Sequence, residues 1–332
     1  MNHILLLGAG FSRNWGGWLA AEAFEYILGC PQIRNSPALR TLLWKHQPSG
    51  GFEDALAEVQ SAYTRDPGAT VVLLDALQGA IAQMFNDMNA GFFEERRFDL
   101  TIDIEFSMRR FLSRFDVIFT LNQDLLLEHQ YLVANFQTGP YRTWAGHSLP
   151  GMQPALRPSD EDFQYWSKGR WIPQPEAKFA LESSKQALIK LHGSSNWVGT
   201  AGSPLMVIGG QKVREIQLHP ILSWYSRLFD DALGQPNTRL MIIGYGFRDS
   251  HVNDVISRAV TNHALEIFVI APHGSDQARA LNPTRHVGLV QAPTPLEGVF
   301  ERSLIGASRR PLQEIFGHDR IEFAKVDRFF SD

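Results

Sequence analysis

Four short clusters in this chain carry side chains that could do chemistry together. Gly8-Ala9-Gly10-Phe11-Ser12-Arg13 has small residues that let a backbone approach a phosphate, then a hydroxyl and a guanidinium that add donors. Asn122 and Asp124 set an amide beside a carboxylate, and His192-Gly193-Ser194 sets an imidazole beside a hydroxyl. An amide can hold a water or a hydroxyl in place, and an imidazole that is neutral near physiological pH can accept its proton. Gly244-Tyr245-Gly246 is a second narrow glycine turn. Each cluster also has a plain reading. Asn and Asp at a strand end are common turn residues, a histidine is often simply packed, and a glycine turn can be purely structural.

The elements that position these clusters raise their joint weight. His3–Leu7, Val117–Thr120, Ala187–Leu191, Leu240–Ile243 and Ile267–Ile270 are continuous apolar runs, as expected of strands buried on both faces. All four clusters directly follow such a run, at the carboxyl end where α/β sheets bind ligands. Helical spacing at Trp18–Leu28, at Leu73, Leu77, Ala80, Ile81 and Met84, and at Val252, Val255, Ile256, Ala259 and Val260 supplies the alternation. Asp249 or Ser250 would cap the last of these helices. The pattern predicts an α/β chain with a Rossmann-like, doubly wound parallel sheet. Residues 1–332 read as a single unit, with a helical insertion over 31–97 and a Pro/Trp-rich insertion over 131–185 containing Pro140, Trp144, Pro158, Trp166 and Trp171. The tail after Pro293 reads as one or two helices with a last strand at Ile321–Ala324.

Composition excludes several classes. A hydrophobic share of 44% over 332 residues fills a large core, and 31 basic against 35 acidic residues give no positive field for nucleic acid or anionic membrane. The longest apolar runs fall short of the roughly 20 residues of a membrane span, and the first residues lack a leader pattern, so a cytoplasmic protein is expected. Cys30 is the one cysteine, which rules out an internal disulfide or a zinc site built on two thiolates. No His-x-x-x-His spacing occurs, so no metal is expected. In the first turn Arg13 replaces the third glycine of G-x-G-x-x-G, and no acid follows about 20 residues on, which counts against a conventional dehydrogenase.

Gly8-Ala-Gly-Phe-Ser12, Thr120-Leu-Asn-Gln-Asp124 and Leu191-His-Gly-Ser194 resemble the sirtuin signatures G-A-G-x-S, T-Q-N-x-D and H-G, in the same order. Ile243-Gly-Tyr-Gly-Phe-Arg-Asp-Ser-His251 is similar to the bacterial SIR2-like family rather than to the deacylases. The departures point the same way. No C-x-x-C…C-x-x-C zinc module follows Ser194, Gly16-Gly-Trp18 and Ala20-Ala21 stand where deacylases carry G-I-P-D-F-R, and the late ribose-binding Asn is Ala271.

The resemblance implies an NAD hydrolase that uses NAD as substrate, releases nicotinamide and ADP-ribose, and acts in anti-phage defence by abortive infection. By the same resemblance Asn122 holds a water or a ribose hydroxyl, Asp124 meets the carboxamide and His192 accepts a proton. Gly8 through Arg13, with the Gly10 amide, Ser12 and Arg13 foremost, hold the pyrophosphate. Gly193 and Ser194 complete the cofactor-binding set, and Gly244, Tyr245 and Gly246 pass the adenosine half. The chain is too short to include a sensor domain, so control by assembly is expected, as a homo-oligomer or with a HerA-type ATPase. A non-catalytic NAD or ADP-ribose sensor, an ADP-ribosyltransferase and a deacylase are the alternatives.

Overall fold

The computed structural model describes residues 1–94, 107–131, 136–138, 142–144, 148–156, 168–199, 202–282 and 293–331. Its strands are β1 (Asn2–Leu7), β2 (Val117–Thr120), β3 (Phe136–Thr138), β4 (Arg142–Trp144), β5 (Met152–Pro154), β6 (Trp171–Pro173), β7 (Lys185–Lys190), β8 (Gly193–Val198), β9 (Pro204–Met206), β10 (Thr238–Ile243), β11 (Glu266–Ile270) and β12 (Leu304–Ser308). Six of them, in the order β12-β11-β10-β1-β2-β7, form an all-parallel Rossmann-like sheet flanked by helices. The β3–β4 hairpin extends it, with β4 running parallel to β7. A smaller sheet, β5-β6-β8-β9, stands beside it. There Trp171 pairs with Trp197, and both rings are buried.

Apolar runs become strands here because helices cover both faces. Leu5, Leu6 and Leu7 of β1 and Leu240 through Ile243 of β10 are all buried, so each residue gains hydrophobic burial whichever side it faces. The sixth strand lies elsewhere than the sequence suggests. Ile321–Ala324 belongs to the helix Arg320–Asp327, whose N-cap Asp319 accepts a hydrogen bond from the Glu322 amide, and the strand is Leu304–Ser308. Strand β12 sits at the sheet edge and contains Gly306 and an exposed Ile305, so it lacks the apolar run of its neighbours.

Helices Pro31–Arg34, Pro37–His46, Phe52–Arg65 and Pro67–Glu94 lie between β1 and β2. The last is long and apolar enough to cross a membrane by length and composition, which no single apolar run in the sequence suggested. One face of it, including Leu74, Leu77, Ile81, Met84 and Phe92, packs into the protein core. Residues 95–97, Pro140, Pro158 and Trp166 lie outside the described residues.

Candidate active site

The chain winds outward from β1 in both directions, through β2 and β7 on one side and β10, β11 and β12 on the other. The crevice over the carboxyl ends at such a reversal is where open α/β sheets hold ligands. Gly8 follows β1, Asn122 follows β2, His192 follows β7 and Gly244 follows β10, so all four clusters share that edge. In the β2–β7 ladder Thr120 pairs with Lys190, which puts Asn122 and His192 each two residues beyond a matched pair on adjacent strand tips. The tips are tied by backbone bonds, Leu191 N–H to Thr120 O at 2.9 Å and Ser195 N–H to Gln123 O at 2.8 Å.

Gly193 turns the chain out of β7 into β8 with φ +73°, and a Cβ there would fall 2.1 Å from Leu205 O. That requirement explains the glycine beside His192 without invoking a ligand. The same holds for the first turn. Gly244, at φ +65°, would carry a Cβ 2.3 Å from the Gly10 carbonyl carbon, so the β1 and β10 turns are pressed backbone to backbone. One expectation is corrected as a result. The Gly10 N–H donates to Gly244 O at 2.9 Å and the Phe11 N–H to Gly8 O at 2.8 Å, so neither amide is free for a phosphate. Ala9 opens the short helix Ala9–Arg13. Arg13 pairs with Glu22 at 2.5 Å, half-exposed.

Ser12 joins two clusters that the sequence keeps 110 residues apart. Its Oγ donates to Asp124 Oδ2 at 2.8 Å and accepts from Asn122 Nδ2 at 3.0 Å. Asp124 Oδ1 accepts the Leu126 N–H at 3.1 Å, so both carboxylate oxygens have partners within the chain. Asp124 thereby fixes Ser12, and Ser12 fixes the Asn122 amide at the mouth of the strand tips. Burial pushes the Asp124 carboxyl above its ordinary value, against the pull of Lys190 and the Ser12 hydroxyl.

Beneath this network lies a buried ion pair. Lys190 Nζ donates to Asp124 O at 2.7 Å and to Glu128 Oε1 at 2.5 Å, and neither side chain reaches solvent. Ser194 Oγ donates to the same Glu128 oxygen at 3.0 Å. Asn89, on the long helix, accepts the Leu125 N–H at 2.9 Å and donates to Ser195 Oγ at 3.0 Å.

His192 is fully buried, and its Nε2 lies 3.1 Å from Nε2 of His251. His251 stands in the first turn of the helix Ser250–His263. Asp249 takes the N-cap position of that helix as expected, but its side chain makes no capping bond: its Oδ1 accepts from Lys212 Nζ at 2.7 Å, and Lys212 also pairs with Glu53 at 2.9 Å. The quoted run ending in His251 was the signal for this residue, yet its histidine was not singled out. No short-range spacing links it to His192, because the two lie 59 positions apart.

Burial, aided by Lys212 and His251 and opposed by Asp249, pulls the His192 imidazole down to about 3 from 6.5. His251 is also lowered, chiefly by burial. An unfolded chain would bind a proton on His192 near 6.5 and the folded chain near 3, so folding excludes that proton in between. Stability contributed this way is complete above pH 6.5 and is lost as pH falls toward 3. The expected loss is up to about 1.4 kcal/mol per pH unit. Urea midpoints measured from neutral to mildly acidic pH check this, and His192→Asn should flatten the slope. An unchanged slope would remove His192 as its cause.

Tyr245 is buried, and its hydroxyl exchanges hydrogen bonds with the Asp249 backbone and Asn253 Oδ1. An open cavity of about 220 Å³ lies further along the edge at the tips of β11 and β12, lined by Gly274, Ser275, Arg309, Arg310, Glu322 and Lys325 among others. Arg309 pairs with Asp276, Arg310 with Glu314 and Lys325 with Glu322, so its cations are already matched. Among the described residues, His192, Asp249 and His251 form a trio with ligand atoms within 4.8 Å of one another, which the sequence did not foresee.

Comparison with family models matches residues 116–289 to the SIR2-like domain. The match takes in Asn122, Asp124, His192 and His251 and begins after the Gly8–Arg13 turn. Comparison with curated proteins finds no match.

Proposed function

Because that match spans more than half of its length, the chain belongs to the SIR2-like family, whose activity is NAD-related, and on that premise we propose that it is an NAD glycohydrolase releasing nicotinamide and ADP-ribose. The observation that carries the reading is the Asn122–Ser12–Asp124 chain of hydrogen bonds on the strand tip next to buried His192. Nicotinamide in NAD is already a cationic leaving group, so its departure needs no acid. The protein must support an oxocarbenium-like sugar and hold the acceptor. Asn122, oriented through Ser12, positions that acceptor or a ribose hydroxyl. His192 is neutral at working pH, but a base whose conjugate acid titrates at about 3 takes up protons weakly. It holds a hydroxyl by accepting its hydrogen bond, and contact with an anionic substrate would strengthen it.

Arg13 supplies charge for the pyrophosphate. Its exposed pair with Glu22 is worth little, so re-pairing costs little. With no cysteine between Ser194 and Leu240, the chain has no zinc module of the deacylase kind, and water is the acceptor in this reading. Unrestrained NAD loss would kill the host cell. The activity is therefore gated by assembly, as a homo-oligomer or with a HerA-type ATPase, in cytoplasmic anti-phage defence.

One observation favours a second reading, in which the site senses NAD without cleaving it: Ser12, Asp124 and His192 all have partners within the chain. Purified protein incubated with NAD, alone and with its genomic neighbours, separates the two. Nicotinamide release supports the hydrolase. Saturable NAD binding with no release under either condition sinks it.

A further inference from the structure

His192, Asp249 and His251 come from two separate elements, the β7–β8 corner and the start of the helix Ser250–His263. The two ring nitrogens face each other at 3.1 Å. Two imidazoles on one tetrahedral zinc, with bonds of about 2.0–2.1 Å, hold their nitrogens about 3.3 Å apart. The pair therefore already stands at chelating separation, and Asp249 brings a carboxylate oxygen within 4.8 Å. Lys212 now occupies that carboxylate at 2.7 Å, but it has a second partner in Glu53 at 2.9 Å. Asp249 can exchange the ammonium for a cation while Lys212 stays paired.

We propose that His192, Asp249 and His251 form a binding site for a divalent transition-metal ion of the zinc class, and that filling it withdraws His192 from NAD chemistry. Two imidazoles and one carboxylate with a fourth position open is the donor set of many zinc sites, and neutral nitrogen donors disfavour calcium and magnesium. The site is a chelate across two elements, so occupancy also clamps the β7 tip to the helix. Binding stands on this geometry alone, whereas the inhibitory half rests on the hydrolase reading.

The test uses the full chain, stripped with a chelator and titrated with Zn²⁺ against a chromophoric competitor. Wild type is expected to take up ~1 ion per chain. His251→Ala should weaken uptake by more than the ~10 to 100-fold that losing an outer-shell partner costs. Asp249→Asn serves as the second variant should His251→Ala fold poorly. His46→Ala, at a partly buried histidine outside the trio and paired with Glu58, should leave uptake unchanged. Zinc should also raise the melting temperature of wild type and not of His251→Ala. No uptake by wild type, or uptake indifferent to both site variants, overturns the site. In the activity arm, nicotinamide release should fall in step with occupancy and return on chelation. Zinc bound with release unaffected overturns the inhibitory half, and zinc bound with no release under any condition leaves the site standing while the hydrolase reading falls.

Discussion

Replacing His192 by alanine is expected to lower nicotinamide release by ~10 to 10²-fold, the worth of one well-placed hydrogen bond of ~1.5–3 kcal/mol to the reacting hydroxyl. Asn122→Ala should fall as far, because the amide is held by Ser12 and is replaced by nothing of similar reach. The two losses should not add, since both side chains act on one acceptor. The His192 variant should stay folded, because removing a buried imidazole of low basicity leaves no buried charge behind. Asn122 is half-buried, and its loss frees one bond from Ser12 while Asp124 keeps the hydroxyl in place. Rates measured beside thermal unfolding therefore separate chemistry from collapse. Turnover within a few-fold of wild type in a folded His192→Ala protein would end the assignment.

Much of the frame was legible, and the reason is physical. Strands buried on both faces must be apolar throughout, so β1, β2, β7, β10 and β11 are visible as runs such as Val117–Thr120. Their parallel pairing follows from the helices between them, and their tips follow from the first polar residue after each run. Strand β12 was missed because an edge strand has less to bury, and β8 because Gly193-Ser-Ser-Asn-Trp-Val198 carries no apolar run.

The site was legible in its parts and not in its wiring. Ser12, Asn122, Asp124 and His192 stand out as polar residues at strand ends. Ser12, Asn122 and Asp124 prove to partner one another across 110 positions, whereas His192 meets His251, which no local spacing links to it. The glycines have a further cause that the sequence does not show: a Cβ at Gly8 or Gly10 would meet the backbone of Gly244 and Tyr245, so the packing of the two turns itself requires them. Lys190 and Glu128 gave no signal at all, because charged residues are presumed solvated until a fold buries them.

That hidden pair carries the largest expected effect on stability. Lys190→Met keeps the length of the side chain and removes its charge, leaving Glu128 buried with Oε1 held by Ser194 alone and Oε2 without a partner. Stripping one member from a buried ion pair typically costs about 3–5 kcal/mol, because the survivor's desolvation is no longer offset. Urea unfolding should show the midpoint fall with its slope constant near wild type. Burial already pushes the Glu128 carboxyl up, with Lys190 opposing it. Without that ammonium the carboxyl should rise further and take a proton more readily on folding. The defect should therefore shrink as pH falls toward the acid range, the reverse of the trend ascribed to His192. Glu128→Gln added to Lys190→Met should recover part of the loss, since it removes the orphaned charge by substitution. Lys190 also holds the Asp124 carbonyl, so the surviving folded fraction should turn over NAD more slowly through a loosened Ser12–Asn122 arrangement. A Lys190→Met protein within about 1 kcal/mol of wild type at neutral pH would mean that the pair is not the buried tie between β7 and the helix Leu126–Tyr131 that its geometry describes.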